Sequence, residues 1–405
     1  MKKTKKTFLF HLRSYNDTDH ITPVIDYFIK KKERVHVLYL SKFNYDEDYR
    51  IQYLKKSPLF SISRVNTFFK IRKHILFNSY LISLVEKFKI ISVIHYLLRK
   101  IWVNKYLTKA KACIFEWSDS GVINLRESKL NKIPTICLPH GYNVYTNYDL
   151  NEHIESIKYK TGNWPDFSDR NKFDSYVVNS NRAKKQYLSW GLNKKTLKVL
   201  GSARYCKEWS EFNLSLLKKI DFKKCSRNQL KVLFFLPQWD YKVNYLESIK
   251  VIKKISNNCN IFLVVKVHTR GSGSLFREDY ISLERSKNVI VNSSIDSPSL
   301  VNWADVVINI ASSIAIEALI QKRPIIYPFY LHRNKTIFDT PELVNLASGC
   351  EEVLSLLINH YKGKKLFLPN KDFLKQFFIN EVYGGEESKN VLKTHYDHIV
   401  NCKSY

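Results

Sequence analysis

Short apolar runs recur along the chain, each followed by a polar turn and most of them by a stretch with helical spacing. In the first half, these runs predict strands over residues 7–12, 34–40, 112–117, 134–140, 175–180 and 197–202. In the second half, they predict strands over residues 230–237, 260–268, 288–293, 305–310 and 324–328. Strands that alternate with helices at this spacing are typical of parallel, doubly wound α/β sheets.

The segments between these runs predict the helices and the division into domains. Helices are expected over residues 21–32, 122–131 and 387–401, whereas SYNDTDH at 14–20 is expected to be a loop. A chain of 405 residues exceeds what one hydrophobic core usually organises. We therefore predict an N-terminal domain over 1–205, a C-terminal domain over 228–385 and a C-terminal helix over 386–405. Both domains are expected to be Rossmann-like and to face each other across a cleft.

Composition narrows the class of protein. A hydrophobic content of 44% excludes a disordered chain. The seven cysteines are scattered without a CxxC pair, which predicts reduced thiols and no zinc knuckle. The basic start is followed by an apolar run of only about five residues, too short for a secretory signal, and no window reaches the roughly 18 uncharged apolar residues of a membrane span. We expect a cytoplasmic protein, soluble or peripheral on the inner face of the membrane.

The formal net charge of +29 is unevenly distributed. Between residues 55 and 111, thirteen Lys or Arg residues accompany one acid, Glu86, and aromatic residues are interleaved with them. Helices of this composition can lie on an anionic membrane surface, which is one candidate partner. They can equally form an ordinary helical layer with solvated lysines. Nucleic acid would also suit such a surface, but no nucleic-acid-binding module is recognisable, so it is not an expected partner.

Candidate chemistry in the second half begins with residues 305–328, DVVINIASSIAIEALIQKRPIIYP, which read as strand, polar turn, helix and strand. Ligands of open α/β sheets lie beyond the carboxyl ends of the strands, where a helix N-terminus attracts anions. Ser312 and Ser313 are therefore candidate phosphate-binding residues, and Glu317 is a candidate for binding ribose hydroxyls. The alternative is serine capping with a solvated glutamate.

A second group of candidates follows the strand predicted over 260–268. Lys266 and His268 lie on one face of that strand, and Arg270 follows in the turn. These potential cations would converge near the two serines and suit the phosphates of a nucleotide-activated donor. His268 could also be purely structural. The GSGS turn at 271–274 is neither a dinucleotide fingerprint nor a Walker motif, so neither NAD nor ATP is indicated and no cofactor is expected.

In the first half, FEWSDSG and LPHGYN end neighbouring predicted strands. Glu116, Asp119 and His140 are therefore expected at one edge of the sheet, as candidate catalytic groups. A carboxylate there could act as general base on an acceptor hydroxyl or as nucleophile. Asp119 could instead be only the N-cap of the next helix.

The loop predicted over 14–20 adds polar residues on the same side of the cleft. Asp17, Asp19 and His20 all fall in it. We take Asp19 and His20 as candidates for binding the acceptor. Helix capping is the alternative role for these residues.

LPHGYN, KVHTRG and ASSIAIEALIQKRPIIYP occur in that order, with GSARYCKEW between the first two and VYGGEESKNVLKTHY near the end. Together they resemble bacterial surface-polysaccharide glycosyltransferases (capsule and O-antigen enzymes) of GT-B architecture, a group related to CDP-glycerol glycerophosphotransferases and capsule Kdo transferases. The resemblance covers residues 110–400. It implies that His268 and the two serines bind donor phosphate, that Glu317 lies near the nucleotide ribose, and that His140 belongs to the family's HG element. Two departures are Thr269-Arg270 after His268, where many relatives have proline, and DSG at 119–121, which only loosely echoes the acidic-acidic-glycine element of bacterial sialyltransferases.

The resemblance and the residues together predict a glycosyltransferase. It would move a sugar, or a polyol phosphate, from a nucleotide-sugar donor to a glycan or lipid-linked acceptor. Lys266, Arg270 and the helix start would neutralise the leaving phosphate, so no metal is expected. The alternatives are a UDP-sugar 2-epimerase of the same architecture, and a non-enzymatic basic protein that binds membrane or RNA.

Overall fold

The computed structural model describes residues 6–13, 15–39, 45–64, 105–116, 122–147, 156, 166–268, 274–387 and 389–404. The chain divides into two compact units. The first comprises Met1–Tyr142, Asp166–Trp209 and Ile379–Tyr405, and the second comprises Asn143–Pro165 and Ser210–Phe378. The C-terminal segment Ile379–Tyr405 thus belongs to the first unit. The predicted boundaries at 205, 228 and 386 had kept the C-terminal helix separate from both domains.

The first unit contains a parallel sheet of seven strands among the described residues. The strands are β1 Thr7–Leu12, β2 Val35–Tyr39, β3 Phe60–Arg64, β4 Ala110–Glu116, β5 Thr135–Leu138, β6 Ser175–Val178 and β7 Leu197–Val199. Their order is β3-β2-β1-β4-β5-β6-β7, which is the doubly wound order of a Rossmann-like sheet. Its helices are α1 Tyr15–Lys30, α2 Tyr49–Leu54, α3 Val122–Leu130 and α4 Asn181–Ser189, followed by α5 Lys207–Leu216, which runs on into the second unit.

The second unit contains a parallel sheet of six strands among the residues described. The strands are β8 Leu230–Phe235, β9 Ile261–Lys266, β10 Val289–Asn292, β11 Val306–Asn309, β12 Ile325–Pro328 and β13 Asn345–Ala347. Their order, β10-β9-β8-β11-β12-β13, is again Rossmann-like. Its helices are α6 Tyr245–Ser256, α7 Arg277–Glu284, α8 Ser297–Trp303, α9 Ile314–Ile320, α10 Cys350–Tyr361 and α11 Lys371–Phe377. The π-helix Phe378–Val382 and α12 Val391–Asn401 then complete the described chain.

Burial on both faces of each sheet explains why the strands could be read as apolar runs. All six residues of β9 are buried, and Leu263 packs in one core cluster with Val232 of β8 and Val306 of β11. Helices that cover the faces supply further core residues, such as Val251 of α6 and Leu357 of α10. Parallel sheets covered in this way show nearly continuous apolar strands. The predicted α/β class with two Rossmann-like sheets is therefore confirmed.

Two edge strands were not predicted. β3 reads FSISR and buries only Phe60, its first residue, and β13 has only three residues. Among the described strands, each lies at the end of its sheet and pairs with a strand on one side only. Short or polar edge strands lack the long apolar run that marks a central strand.

The prediction of a loop over 14–20 is wrong for its described part. Helix α1 begins at Tyr15, so Asp17, Asp19 and His20 lie within its first two turns. The prediction followed the polar composition of SYNDTDH, whereas the helix accommodates these polar residues and also Pro23, a residue type that favours the first helical turn. The helix continues through the proline, with Asp17 in its first turn, where a carboxylate interacts favourably with the helix dipole.

None of the helices in the described residues combines the length and the apolar character needed to cross a membrane. Of the basic segment 55–111, residues 65–104 lie outside the described residues. The described remainder comprises the turn that follows α2, then β3, residues 105–109 and the start of β4. The predicted role of the segment as a membrane surface stays a prediction.

Candidate functional site

Polar side chains collect at the carboxyl edge of the first unit's sheet. β1 lies between β2 and β4, and the crevice beyond such a reversal of strand order is where open α/β sheets bind ligands. Glu116 is the last residue of β4, Arg13 follows β1 directly, and His140 lies two residues beyond β5. Since β4 pairs with both β1 and β5, the topology brings these side chains to one place.

Glu116 is the centre of this cluster. Its buried carboxylate contacts Arg13 Nε through Oε1 at 3.2 Å and His140 Nδ1 through Oε2 at 3.0 Å. Asp17 approaches the same imidazole nitrogen, with its Oδ1 at 3.9 Å from His140 Nδ1. The backbone N–H of Arg13 donates to Asp17 Oδ2 at 2.5 Å, which ties the start of α1 to the end of β1.

This geometry assigns the roles of the two imidazole nitrogens. An ionised carboxylate only accepts hydrogen bonds, so His140 Nδ1 must donate to Glu116. In the neutral ring, Nε2 is then the nitrogen that carries the basic lone pair. A histidine oriented by a carboxylate in this way can accept a proton from a substrate hydroxyl. The predicted meeting of Glu116 and His140 is thus present, although their catalytic role is not itself tested.

The predicted acceptor-binding residues lie beside this cluster in a network of charges. Asp19 is bound by Arg50 on one oxygen and by Arg204 Nη1 at 3.0 Å on the other. Arg50 is itself buried and also binds Asp48, through Nη2 at 2.7 Å and Nε at 3.0 Å. Such forked pairs fix the geometry of both partners. Asp19 therefore has a structural function in holding α1, whatever it contacts in a substrate.

His20 is buried next to the same network. Burial lowers its pKa well below the usual value, and the nearby Arg204 and His140 act in the same direction. At neutral pH the ring is therefore uncharged. It can offer one hydrogen-bond donor and one acceptor to an incoming hydroxyl group.

A metal ion is a further possibility that the cluster raises. One ligand atom from each of Asp17, Glu116 and His140 lies within 4.8 Å of the others, among the residues described. Carboxylate oxygens and imidazole nitrogen are common ligands of divalent ions. An ion at this point would have to replace the contacts of Glu116 with Arg13 and His140. The residues are arranged as an acid–base group whose members already bond to one another.

Two of the predicted site residues lie outside the described residues. Asp119 falls in the segment 117–121 between β4 and α3, and Arg270 falls in the segment 269–273 after β9. Both roles remain predictions. The base assignment in the described part of the chain therefore rests on Glu116 and His140.

In the second unit, Lys266 is held at a different place from the one expected. It is the last residue of β9, and its Nζ donates to the carbonyl of Ser293, just beyond β10, at 2.8 Å. β9 pairs with β10 on one side and with β8 on the other, so this bond draws the amine away from the turn after β11. Burial lowers the pKa of Lys266 to about 8, and the carboxylate of Asp296 partly offsets this effect. His268 lies two residues beyond β9 and is partly exposed.

The turn after β11 lies at the second unit's own reversal of strand order, next to β8. Asn309, fully buried at the end of β11, donates through Nδ2 to the carbonyl of Ser312 at 3.0 Å. Ala311 has a φ of +48°, a left-handed conformation that is unusual for a residue with a side chain. Backbone strain of this kind is often found at ligand sites. Ser312 and Ser313 are partly exposed on this turn, directly before α9.

Glu317 lies one turn into α9 and is buried. Its Oε1 accepts a hydrogen bond from Gln321 Nε2 at 2.9 Å, within the same helix. This contact orients the carboxylate but leaves its predicted ribose contact untested.

Sequence reasoning missed Arg13 and Asn309. Each offered a weak signal, because each is a polar residue at the end of an apolar strand.

Among known proteins, the chain is similar only to solved structures. No protein-family model and no curated protein matches the chain. Among solved structures, a UDP-GlcNAc 2-epimerase from Methanocaldococcus jannaschii is similar with a TM-score of 0.60 and 12% identity, covering 96% of this chain and 99% of that one. The UDP-N-acetylglucosamine 2-epimerase from Rickettsia bellii gives 0.56 and 13%, covering 98% and 96%. The Neisseria meningitidis UDP-GlcNAc 2-epimerase, whose structure has UDP-GlcNAc bound, gives 0.52 and 13%, covering 96% and 100%.

The likeness extends over nearly the full length of the chains and concerns the fold. It agrees with the GT-B architecture of two Rossmann-like domains that the sequence predicted. At 12–13% identity it carries no statement about the reaction.

Proposed function

We propose that the chain is an enzyme that acts on a nucleotide-activated sugar, and that it transfers the sugar, or a polyol phosphate, to a hydroxyl of a surface polysaccharide or lipid-linked glycan. The contact of His140 with Glu116 carries this proposal, because it forms a general base at the ligand-binding edge of the first unit. The fold likeness to epimerases of UDP-GlcNAc supports a nucleotide sugar as the substrate class.

The first unit would activate the acceptor. His140 Nε2 takes the proton of the acceptor hydroxyl as its oxygen bonds to the anomeric carbon of the donor sugar. The bond from that carbon to the phosphate oxygen breaks, and the nucleotide leaves with the electron pair. Glu116 stabilises the imidazolium that forms, as a carboxylate does behind a catalytic histidine. Arg13, bonded to Glu116, holds the carboxylate in place.

The second unit would bind the nucleotide. Ser312 and Ser313, on the turn held by Asn309, are proposed to bind donor phosphate, together with His268 after β9. Asn309 shapes the turn without needing to reach the ligand. Arg270 remains the proposed cation for the leaving phosphate, and Glu317 the proposed ribose contact. No metal is required in this proposal, since arginine and histidine can stabilise the leaving group.

A 2-epimerase is the second candidate, because the similar solved structures are 2-epimerases. The acid–base cluster of the first unit suits this reaction as well, since epimerisation removes and returns a proton at carbon 2. Both candidates share the donor and the nucleotide site. They differ in the need for an acceptor.

One experiment separates these candidates. The purified chain is incubated in D₂O with UDP-, CDP-, CMP- and GDP-sugars, with and without a glycan acceptor. A transferase releases nucleotide only with the acceptor and leaves carbon 2 of unreacted donor undeuterated. An epimerase incorporates deuterium at carbon 2 without any acceptor. If neither reaction occurs and no nucleotide raises the melting temperature of the chain, the non-enzymatic alternative remains.

A further inference from the structure

The return of the chain to the first unit begins with an unusual element. Residues Phe378–Val382 form a π-helix directly after α11. π-helices are rare and are often found at functional sites. Glu381 lies within this one, and its side chain is only 14% exposed.

Glu381 binds the loop that carries His140. The hydroxyl of Tyr142, two residues after the histidine, lies 2.7 Å from both Oε2 and the backbone carbonyl of Glu381. Arg182 of α4 places its Nε 3.1 Å from each carboxylate oxygen of Glu381. Burial raises the pKa of Tyr142 well above its usual value, and the Glu381 charge adds to this effect. The phenol therefore stays protonated and acts as the donor.

Other contacts fix the same loop and the same segment. Asn179 Nδ2 donates to the carbonyl of Gly141 at 3.2 Å. The backbone N–H of Ser202 donates to the carbonyl of Val382 at 2.7 Å. Gly201 has a φ of +92°, and a Cβ there would lie 2.9 Å from that carbonyl, so the backbones meet too closely for a side chain. The π-helix is thus locked onto the first unit on the side of the His140 loop.

We propose that Glu381 is a positioning residue, which acts through Tyr142 to hold the loop of residues 140–142 so that the His140 imidazole meets Glu116. This inference rests on the proposed function, because it concerns the same histidine. It adds that the C-terminal segment, remote in sequence, sets the geometry of the proton-accepting group. Displacement of a catalytic group by about 1 Å can cost about 10²-fold in rate.

The test uses the full chain with Tyr142→Phe and Glu381→Gln, both of nearly unchanged shape. Tyr53→Phe is the matched control: it also removes a hydroxyl that donates to a carboxylate, that of Asp26 at 3.0 Å, in the same unit. Hydrogen exchange of peptides covering 138–147 reports on the loop without any substrate. Initial rates with the donor found in the D₂O experiment report turnover, and thermal melting checks that each variant is folded.

We expect faster exchange in residues 138–147 for Tyr142→Phe and Glu381→Gln, with turnover reduced about 10- to 100-fold and the KM of the nucleotide donor unchanged. Tyr53→Phe should change neither the exchange of that loop nor turnover. Unchanged exchange in both site variants would overturn the inference, and so would faster exchange with normal turnover. If the unaltered chain turns over no nucleotide sugar, the proposed function fails, while the exchange result still decides whether Glu381 holds the loop.

Discussion

Replacement of Glu116 by glutamine tests the proposed base most directly. The carboxylate receives two contacts, from Arg13 Nε at 3.2 Å and from His140 Nδ1 at 3.0 Å. Both are N–H donors, and the glutamine amide has one oxygen to accept and one NH₂ group that can only donate. With His140 in its present tautomer, the amide can therefore satisfy only one of the two partners. If its NH₂ faces the histidine, Nδ1 becomes the acceptor, the proton moves to Nε2, and the ring cannot act as a base.

The size of the effect follows from these roles. A general base contributes about 10² to 10⁴ in rate, which corresponds to about 3 to 5 kcal/mol at 1.36 kcal/mol per factor of ten. We expect Glu116→Gln to lower turnover by this factor. The Arg13 side chain is 38% exposed, so solvent screens the loss of its partner, and the free energy of unfolding should change by no more than about 1 kcal/mol.

Initial rates at saturating donor and acceptor, calorimetric titration with the nucleotide and urea denaturation together make up the assay. Nucleotide affinity should be unchanged, because the proposed nucleotide contacts lie in the second unit. Glu33→Gln serves as the control, since Glu33 also pairs with a cation, Lys111 at 2.7 Å, in the first unit. Turnover of Glu116→Gln within about threefold of the unaltered chain would refute the assignment, because that factor is far below the contribution of a general base. Asp119 would then be the next carboxylate to replace.

Three further predictions concern the nucleotide site, the pH dependence of stability and the membrane surface. Ser313→Ala and His268→Ala should each weaken nucleotide binding about tenfold, the equivalent of about 1.4 kcal/mol, in calorimetry; unchanged affinity in both would remove the phosphate assignment. Burial lowers the pKa of His395 to about 4, so the unfolded chain binds the extra proton as pH falls from about 6.5 towards 4. Stability should thus decline in that window, by about 2 kcal/mol at pH 5 for this group, and urea denaturation of His395→Gln at pH 7 and pH 5 should show a smaller decline. Liposome flotation should show salt-sensitive binding of the chain to anionic but not to neutral vesicles, whereas equal binding to both would refute a membrane role for the basic segment 55–111.

The class of fold follows from the apolar pattern along the chain alone. Central strands such as β9 are buried on both faces, so their apolar runs can be read without knowing which strands they pair with. Glu116, His140 and Ser312 could be nominated for a similar reason, since each follows or ends such a run. Turn residues at the carboxyl ends of strands are exposed to ligands whatever the strand order.

The start of α1 shows where local reasoning fails. The polar run SYNDTDH indicated a loop and a helix that begins near residue 21, but the helix begins at Tyr15. The earlier start brings Asp17 to the Arg13 backbone and Asp19 to Arg50 and Arg204. These partners are distant in sequence or depend on the end of β1, so the polar composition of this segment does not reveal them.

The meeting of particular polar groups, in contrast, depends on how the strands are arranged in the folded chain. The pairing of β1 with β4 joins residues about 100 positions apart through backbone hydrogen bonds, and such bonds carry no sequence signal. The contact between Arg13 and Glu116 depends on that pairing. In the same way, the bond of Lys266 to Ser293 and the return of Glu381 to Tyr142 arise because buried polar groups must find partners in the folded chain. The periodicity of apolar residues shows which segments are buried. The hydrogen-bond partners of buried polar groups, in contrast, are set by the order of the strands in the folded sheet.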